Sequence, residues 1–443
     1  MPSGTIAPPE RREVGLMTCV ALVTATMVGT GVYTSLGFQL QDLRSGFSIL
    51  VLWGLGGLIS LCGALSYAEL SARIPRSGGE YTYLSEIYHP ALGFMAACVS
   101  LLAGFAAPIA LSAMAFGSYL HAAFPGCSER LSGLLAVVLI TLLHLRSQEM
   151  SSLVQNAATA LKFLLVALFV VIGLRAAFLH PQALSVLLPG SGSFAELARP
   201  TSGIALLFVL YAYSGWNATT YLAGEVRSGR RAVGLSLVLG TLAVTLLYIV
   251  LNAVFLTAAP ADDLRGVLHV GSVAASHLLG EQGGRAMSVI IAIGLLASIS
   301  AMIWAGPRVT QRVGEDYPAL SLLARRTSAG IPVPAMVVQL VLVLALLLAG
   351  SFESVLVFAQ IPLLLCLMLG VAGVLVLRVR SGAPDEGLFR CPLLPLPPLI
   401  FLVCSAAGIL YSASTRPWTA LGGIGILLIP LMLHPWLTRN SAR

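Results

Sequence analysis

The chain has 443 residues, of which 57% are hydrophobic and only 10% charged, with a mean hydropathy of +0.92 and a formal net charge of +7. A soluble domain carries roughly 25% charged residues, so this composition excludes an ordinary soluble fold and makes the lipid bilayer the solvent to reason in. The basic residues are scattered through loops and form no aromatic-laced patch, which argues against nucleic acid as a partner.

Residues 1–13 are short and polar, with Pro8 and Pro9, and read as a disordered lead-in. The apolar run that follows is long, interrupted by glycine and without a small-residue cleavage pattern, so it reads as a first span and not as a signal peptide. Twelve mainly apolar stretches are expected, at approximately 14–38, 46–72, 91–120, 131–146, 153–178, 201–224, 232–257, 286–306, 332–350, 353–377, 395–413 and 418–437. They are joined mostly by short loops that leave no room for a soluble domain. The expected fold class is therefore an all-α polytopic membrane protein with 12 transmembrane helices. Of the 25 basic residues, 17 fall on the side of the N-terminus, the loops after even-numbered spans and the C-terminus, and seven on the other. That bias places both termini in the cytoplasm. Arg227, Arg230 and Arg231 are its densest inner cluster.

The first span carries Gly29-Thr30-Gly31 near its middle. Unwinding a helix at that depth leaves amides and carbonyls that hydrocarbon cannot solvate, so something polar must meet them. With span 1 running outward, its outer half starts near Thr30 to Val32 with free N–H groups and the positive end of the helix dipole, a place for a carboxylate. Packing of small residues is the competing reading for these glycines. After span 2, the loop at 73–90 contains Arg73-Ile74-Pro75-Arg76-Ser77-Gly78-Gly79-Glu80-Tyr81, which suits a turn into a short interfacial helix.

Span 5 holds Lys162, the only lysine among 25 basic residues. It lies about nine residues past the inner end of its span, roughly 13 Å deep. An ionisable group there costs on the order of 3 kcal/mol and is a functional candidate by default. Unlike an arginine it can lose its proton, so coupling is one reading and an ammonium capping the free carbonyls of span 1 is another; the two are compatible. Span 6 is interrupted at Ser214-Gly215-Trp216-Asn217, five spans after the first break. Running inward, its outer half ends near Tyr211 to Tyr213 with free carbonyls, which accept from an ammonium group. Paired interruptions point to an inverted repeat around a zwitterion site. Asn217-Ala218-Thr219 matches a glycosylation sequon but lies inside a span. Ser298 and Ser300 in span 8 are expected to bond their own backbone.

No acidic residue falls at a predicted midplane, since Glu69 and Glu225 are at span ends and the others in loops. This argues against a cationic substrate side chain and against a carboxylate-based sodium site. The seven cysteines show no CxxC spacing, and neither a metal site nor a cofactor is expected. Cys127 alone falls in a predicted outer loop, where an unpaired thiol is favoured over a bridge to a partner. An enzyme is argued against by the absence of HExxH, of a nucleophile elbow and of a paired membrane carboxylate. A Walker A motif is absent, because the sole lysine precedes Phe163.

Four segments resemble the amino acid-polyamine-organocation superfamily, close to its L-type amino acid transporter branch: Val28-Gly29-Thr30-Gly31-Val32-Tyr33, Ser66-Tyr67-Ala68-Glu69-Leu70 through Pro75-Arg76-Ser77-Gly78-Gly79-Glu80-Tyr81, Ala212-Tyr213-Ser214-Gly215-Trp216-Asn217, and Gly306-Pro307-Arg308-Val309 ending span 8. The resemblance implies a ten-span alternating-access core at 14–377, with inverted LeuT-like repeats at 14–178 and 201–377, and two peripheral spans with a short cytoplasmic tail at 378–443. It implies that Thr30 and Gly31, flanked by Gly29 and Val32, hold the substrate carboxylate. Tyr211, Ala212 and Ser214 would offer carbonyls to its amine, Tyr211 would be the gating aromatic, and Asn217 would complete the substrate-binding set. Lys162, after Val154-Gln155, takes the place that sodium occupies in related carriers, which implies sodium independence. Thr30 replaces the usual serine and Tyr211 a common phenylalanine. Phe124-Pro125-Gly126-Cys127 resembles a loop whose cysteine bridges eukaryotic members to a heavy chain. The expected function is sodium-independent transport of neutral amino acids across the cell membrane, by exchange or with protons. A polyamine or amine transporter and a non-translocating amino acid sensor are the alternatives.

Overall fold

A computed structural model describes residues 15–146, 149–226, 230–328 and 330–439, and among them it contains helices and turns but no strand. The expected lead-in at 1–13 and Arg227 lie outside the described residues, as do the side chains of Val154, Gln155, Glu225 and Arg230. Nine helical stretches among the described residues are long and apolar enough to cross a membrane, and Thr201–Ala212 and Val333–Ala349 are shorter apolar helices. The expected stretch at 131–146 is the helix Glu129–Arg146, whose ends carry Glu129, Arg130 and Arg146.

In chain order the helices are α1 (Leu16–Met27), α2 (Thr30–Asp42), α3 (Gly46–Arg73), α4 (Glu80–Ile87), α5 (Pro90–Val99), α6 (Ala107–Ala123), α7 (Glu129–Arg146), α8 (Glu149–Leu179), α9 (Ser193–Leu197), α10 (Thr201–Ala212), α11 (Arg230–Ala258), α12 (Ala261–Leu264), α13 (Val270–Asp316), α14 (Val333–Ala349), α15 (Phe352–Ser381), α16 (Leu396–Thr415) and α17 (Pro417–Arg439). A wide π-helical turn at Ser100–Ala106 joins α5 to α6 without interrupting the rod. The short helix expected after span 2 is α4, reached through Gly78 and Gly79 at φ 124° and 54°.

Apolar residues surround these helices on all sides. Leu139, Leu164, Val341 and Leu410 are exposed, whereas Glu69, Glu80, Thr30, Ser112 and Asn252 are buried. Hydrocarbon rewards an apolar outside, and the polar groups turn inward to find partners. Close approach is set by small residues: a Cβ on Gly57 of α3 would lie 2.3 Å from Thr245 of α11, at the most extensive helix contact in the bundle.

The helix expected at 286–306 is longer than its apolar pattern. α13 is two helices in line: one from Val270 that breaks at Gly280 (φ 77°, ψ 177°), and a second that runs on through Pro307 to Asp316. Gly306-Pro307 therefore does not end it; proline removes one backbone bond, and the turns on either side keep the rod intact. At one end of the bundle the fully buried Glu69 carboxylate accepts two bonds of 2.7 Å from Arg378, one of 3.1 Å from Arg73 Nε and one of 2.8 Å from the Cys391 amide. This ion network ties α3, α15 and the segment before α16 together.

Candidate functional site at the two helix breaks

The first break is two residues long. α1 ends at Met27; Val28 (φ −74°, ψ 85°) and Gly29 (φ −125°, ψ −147°) leave helical geometry, and α2 restarts at Thr30. The Gly29 amide turns back to the Met27 carbonyl at 2.8 Å. The N–H groups of Thr30, Gly31 and Val32 form the first turn of α2 and have no acceptor within their own helix. The carbonyls that close α1 are met by side chains. Lys162 of α8 places its ammonium 2.5 Å from the Val28 carbonyl and 3.5 Å from that of Ala25.

The second break follows α10. The chain leaves the helix at Tyr213, passes through Gly215 at φ 100° and re-forms as a 3-10 turn at Ala218–Glu225. The Tyr211 carbonyl accepts from the Ser214 amide at 3.0 Å and from its hydroxyl at 2.6 Å.

The two breaks touch. A Cβ on Gly31 would lie 2.5 Å from Ala212 Cα and 2.7 Å from its Cβ, and one on Gly215 would lie 2.9 Å from the Thr26 methyl. Tyr248 of α11 sits between them, its hydroxyl 2.6 Å from the Met27 carbonyl and 3.0 Å from the Ala212 carbonyl. A phenol has one proton, so it serves one carbonyl at a time. The Thr30 hydroxyl lies 2.9 Å from Ser112 of α6, and the Tyr211 side chain is buried. Gly29, Thr30, Gly31, Val32, Tyr211, Ala212 and Ser214 are thus gathered in one place.

Asn217 is set apart from that group. Its amide donates to Glu80 of α4 at 2.6 Å, and the Tyr221 hydroxyl donates to the other carboxylate oxygen at 2.5 Å. Glu80 is only 2% exposed, although its sequence context reads as a loop. A Cβ on Gly79 would meet the Tyr221 ring at 2.8 Å, so the Gly-Gly step lets α4 dock on the chain that continues from the second break. Glu80 and Tyr248 are the residues that sequence reasoning missed. The Gly78-Gly79 pair was a signal for the first; a lone tyrosine in an apolar run gave none for the second.

Beside Lys162 is an apolar cavity of about 20 Å³, bounded by Tyr33, Val166, Phe169, Phe255 and Ile291, room for about one water. Gly294 of α13 lies against the lysine stem, where a Cβ would stand 3.5 Å from Cγ. Ser298 donates to the Gly294 carbonyl at 3.1 Å, as expected, whereas Ser300 pairs with His144 at 2.9 Å. The segment after α12 docks on the far half of α2, where the Gly266 amide donates to the Gly37 carbonyl and Arg265 Nε to that of Leu40, both at 2.8 Å. None of the seven cysteines, Cys127 included, is bonded to another within the chain.

Apolar helices with two breaks meeting at one level, their backbone ends opposed, define a multi-pass membrane protein with an enclosed polar centre. The chain belongs to the amino acid permease family, whose model, described as "Amino acid permease", matches residues 14–427. It is 28% identical over 404 residues to the human cystine/glutamate transporter, covering 89% of this chain and 79% of that one. It is 26% identical over 401 residues to the serine/threonine exchanger SteT of Bacillus subtilis, covering 89% and 90%. With the human Asc-type amino acid transporter 1 it shares 26% identity over 429 residues, 95% and 80% of the two chains. The chain is an amino acid transporter and not an enzyme.

Proposed function

We propose that this transporter moves neutral amino acids by alternating access, without sodium, exchanging one for another across the cell membrane. Twelve spans, ten of them in two inverted halves, and cytoplasmic termini complete the reading, supported by the paired breaks and by the basic bias of the even-numbered loops. The observation that carries it is the Lys162 ammonium 2.5 Å from the Val28 carbonyl. A fixed cation already meets the backbone acceptors that a bound sodium ion would need. The free N–H groups of Thr30 to Val32 then hold the substrate carboxylate. The substrate ammonium goes to the carbonyls of Tyr211 and Ala212 and takes over the bonds now made by Ser214 and Tyr248. Substrate arrival in this reading is an exchange of donors: the Ser214 hydroxyl turns away, Tyr248 keeps the Met27 carbonyl, and Tyr211 closes over the amino acid.

The names of the relatives support amino acid exchange but span anionic and neutral substrates. Among the described residues, Lys162 is the only basic side chain at the breaks, and the backbone carbonyls engage it. That favours a neutral side chain over an anionic one. Counterflow in proteoliposomes loaded with each of the twenty amino acids tests the proposal. The expected result is exchange among neutral amino acids, equal in sodium and in choline buffers. Failure of every neutral amino acid to exchange, or a requirement for sodium, refutes it.

A further inference from the structure

We propose that the cleft between α7, α13 and the start of α14 binds the headgroup of an anionic phospholipid, with Arg308 as the phosphate ligand and Trp304 as its platform. Trp304 and Arg308 are one turn apart on α13. The guanidinium carbon stands 3.5 Å from the centre of the indole ring, and one of its nitrogens donates to the Trp304 carbonyl. Trp304 is 44% exposed, a large aromatic on the outside of the bundle. Arg308 has no carboxylate partner among the described residues. Arg312, one turn further on, pairs with Glu315 and Asp316, and Arg326 pairs with Glu315. Glu315 and Asp316 are therefore already paired, and among the described residues no carboxylate stands opposite Arg308.

The position suits a headgroup. Arg308 precedes the end of α13 by eight residues, about 12 Å of helix, so it lies where the apolar run gives way to the charged turns. Trp304 lies one turn deeper, at the level where interfacial tryptophans sit. The cleft beside them is floored by His144, Ile331 and Pro332, and the His144 ring is held by its 2.9 Å bond to Ser300. Ile303, Pro307 and Met336 complete its lining, and the helices that flank it carry exposed apolar side chains elsewhere on their surfaces, Leu139 and Leu143 on α7 and Val337 and Val341 on α14. A guanidinium beside an apolar lining, on helices with exposed apolar side chains, suits a phosphate joined to acyl chains. Stacking on the indole restrains the guanidinium, and one of its nitrogens is engaged with the Trp304 carbonyl, which leaves further N–H donors for phosphate oxygens. Basic pockets between spans bind lipid headgroups by this chemistry. The site is separate from the helix breaks and does not depend on the substrate.

The test uses the full chain purified in a neutral detergent. Phosphatidylglycerol is expected to raise its melting temperature more than phosphatidylcholine of the same acyl chains. The excess should fall by at least half in Arg308→Gln and persist in Arg312→Gln, which removes the same charge from a paired residue. Equal loss in both variants, or no difference between the two lipids, overturns the proposal, and so does inorganic phosphate alone reproducing the shift. A second readout needs no change of charge. Brominated phosphatidylglycerol should quench tryptophan fluorescence beyond brominated phosphatidylcholine, and the excess should vanish in Trp304→Phe. Persistence of that excess in the variant places the lipid elsewhere and refutes the assignment.

Discussion

Replacing Gly31 by alanine tests the contact between the two breaks most directly. The added methyl would stand 2.5 Å from Ala212 Cα, 2.7 Å from its Cβ and 3.1 Å from its amide nitrogen. Two of those three atoms are backbone, so no rotamer change relieves the overlap, and separating them to ordinary contact needs a shift of about 1 Å between α2 and the end of α10. Overpacking of this kind costs about 1–3 kcal/mol. If the breaks must touch for the site to occlude, a strain of about 2 kcal/mol slows turnover roughly 30-fold. Gly29 is the built-in control, because a Cβ there would meet nothing nearer than the Met27 carbonyl oxygen at 3.9 Å. Initial rates of counterflow, normalised to reconstituted protein, should fall at least tenfold further in Gly31→Ala than in Gly29→Ala. Equal effects in the two variants, or full activity in Gly31→Ala, would show that contact between the breaks is not part of the cycle.

Lys162→Met removes the donor on the Val28 carbonyl, and a buried acceptor left unpaired costs about 1–3 kcal/mol; exchange should be lost or fall more than tenfold, and unchanged kinetics in a flux assay would remove Lys162 from the mechanism. Tyr248→Phe takes away the hydroxyl shared by Met27 and Ala212, so the melting temperature should drop while the Michaelis constant for substrate falls or stays level, because the amine meets one competitor fewer at Ala212. Asn217→Ala leaves one oxygen of the buried Glu80 without its donor, and labelling of a reporter cysteine placed on α4 should quicken as α4 detaches from the second break; an unchanged labelling rate argues that Tyr221 alone holds it. Glu69→Ala leaves Arg378 and Arg73 unpaired around a buried position. Loss of a buried ionic partner costs on the order of 3 kcal/mol, and a thermal melt should show this as the largest destabilisation of the set.

The breaks were legible in the sequence because glycine beside polar residues in the middle of an apolar run conflicts with the demand that a span satisfy its own backbone. Lys162 was legible for a related reason: one lysine inside hydrocarbon needs an explanation that an arginine in a loop does not. Glu80 was hidden. Locally it belongs to a Gly-Gly turn and looks solvated, and its burial depends on Asn217, 137 positions away in the chain. Tyr248 was hidden because a tyrosine in an apolar helix has the same neighbours in sequence whether its hydroxyl bridges two carbonyls or fills space. The full extent of α13 was lost to the run Gly280, Gly283, Gly284, which interrupts the apolar pattern; the helix breaks at the first of the three and a second helix resumes at once after it. In each case the deciding partner is distant in sequence, and periodicity reports only on neighbours.

In the proposed function the lysine at the first break also bears on what can drive transport. An ion that binds with substrate crosses with it, and each unit charge moved against 100 mV involves about 2.3 kcal/mol. The Lys162 ammonium is tethered to α8 and returns with the protein in every cycle. In the proposed exchange one zwitterion leaves as another enters, so no net charge crosses and the membrane voltage has no grip on the flux. The carrier then works as a concentration balance between two pools of amino acid, indifferent to the electrical state of the membrane that holds it.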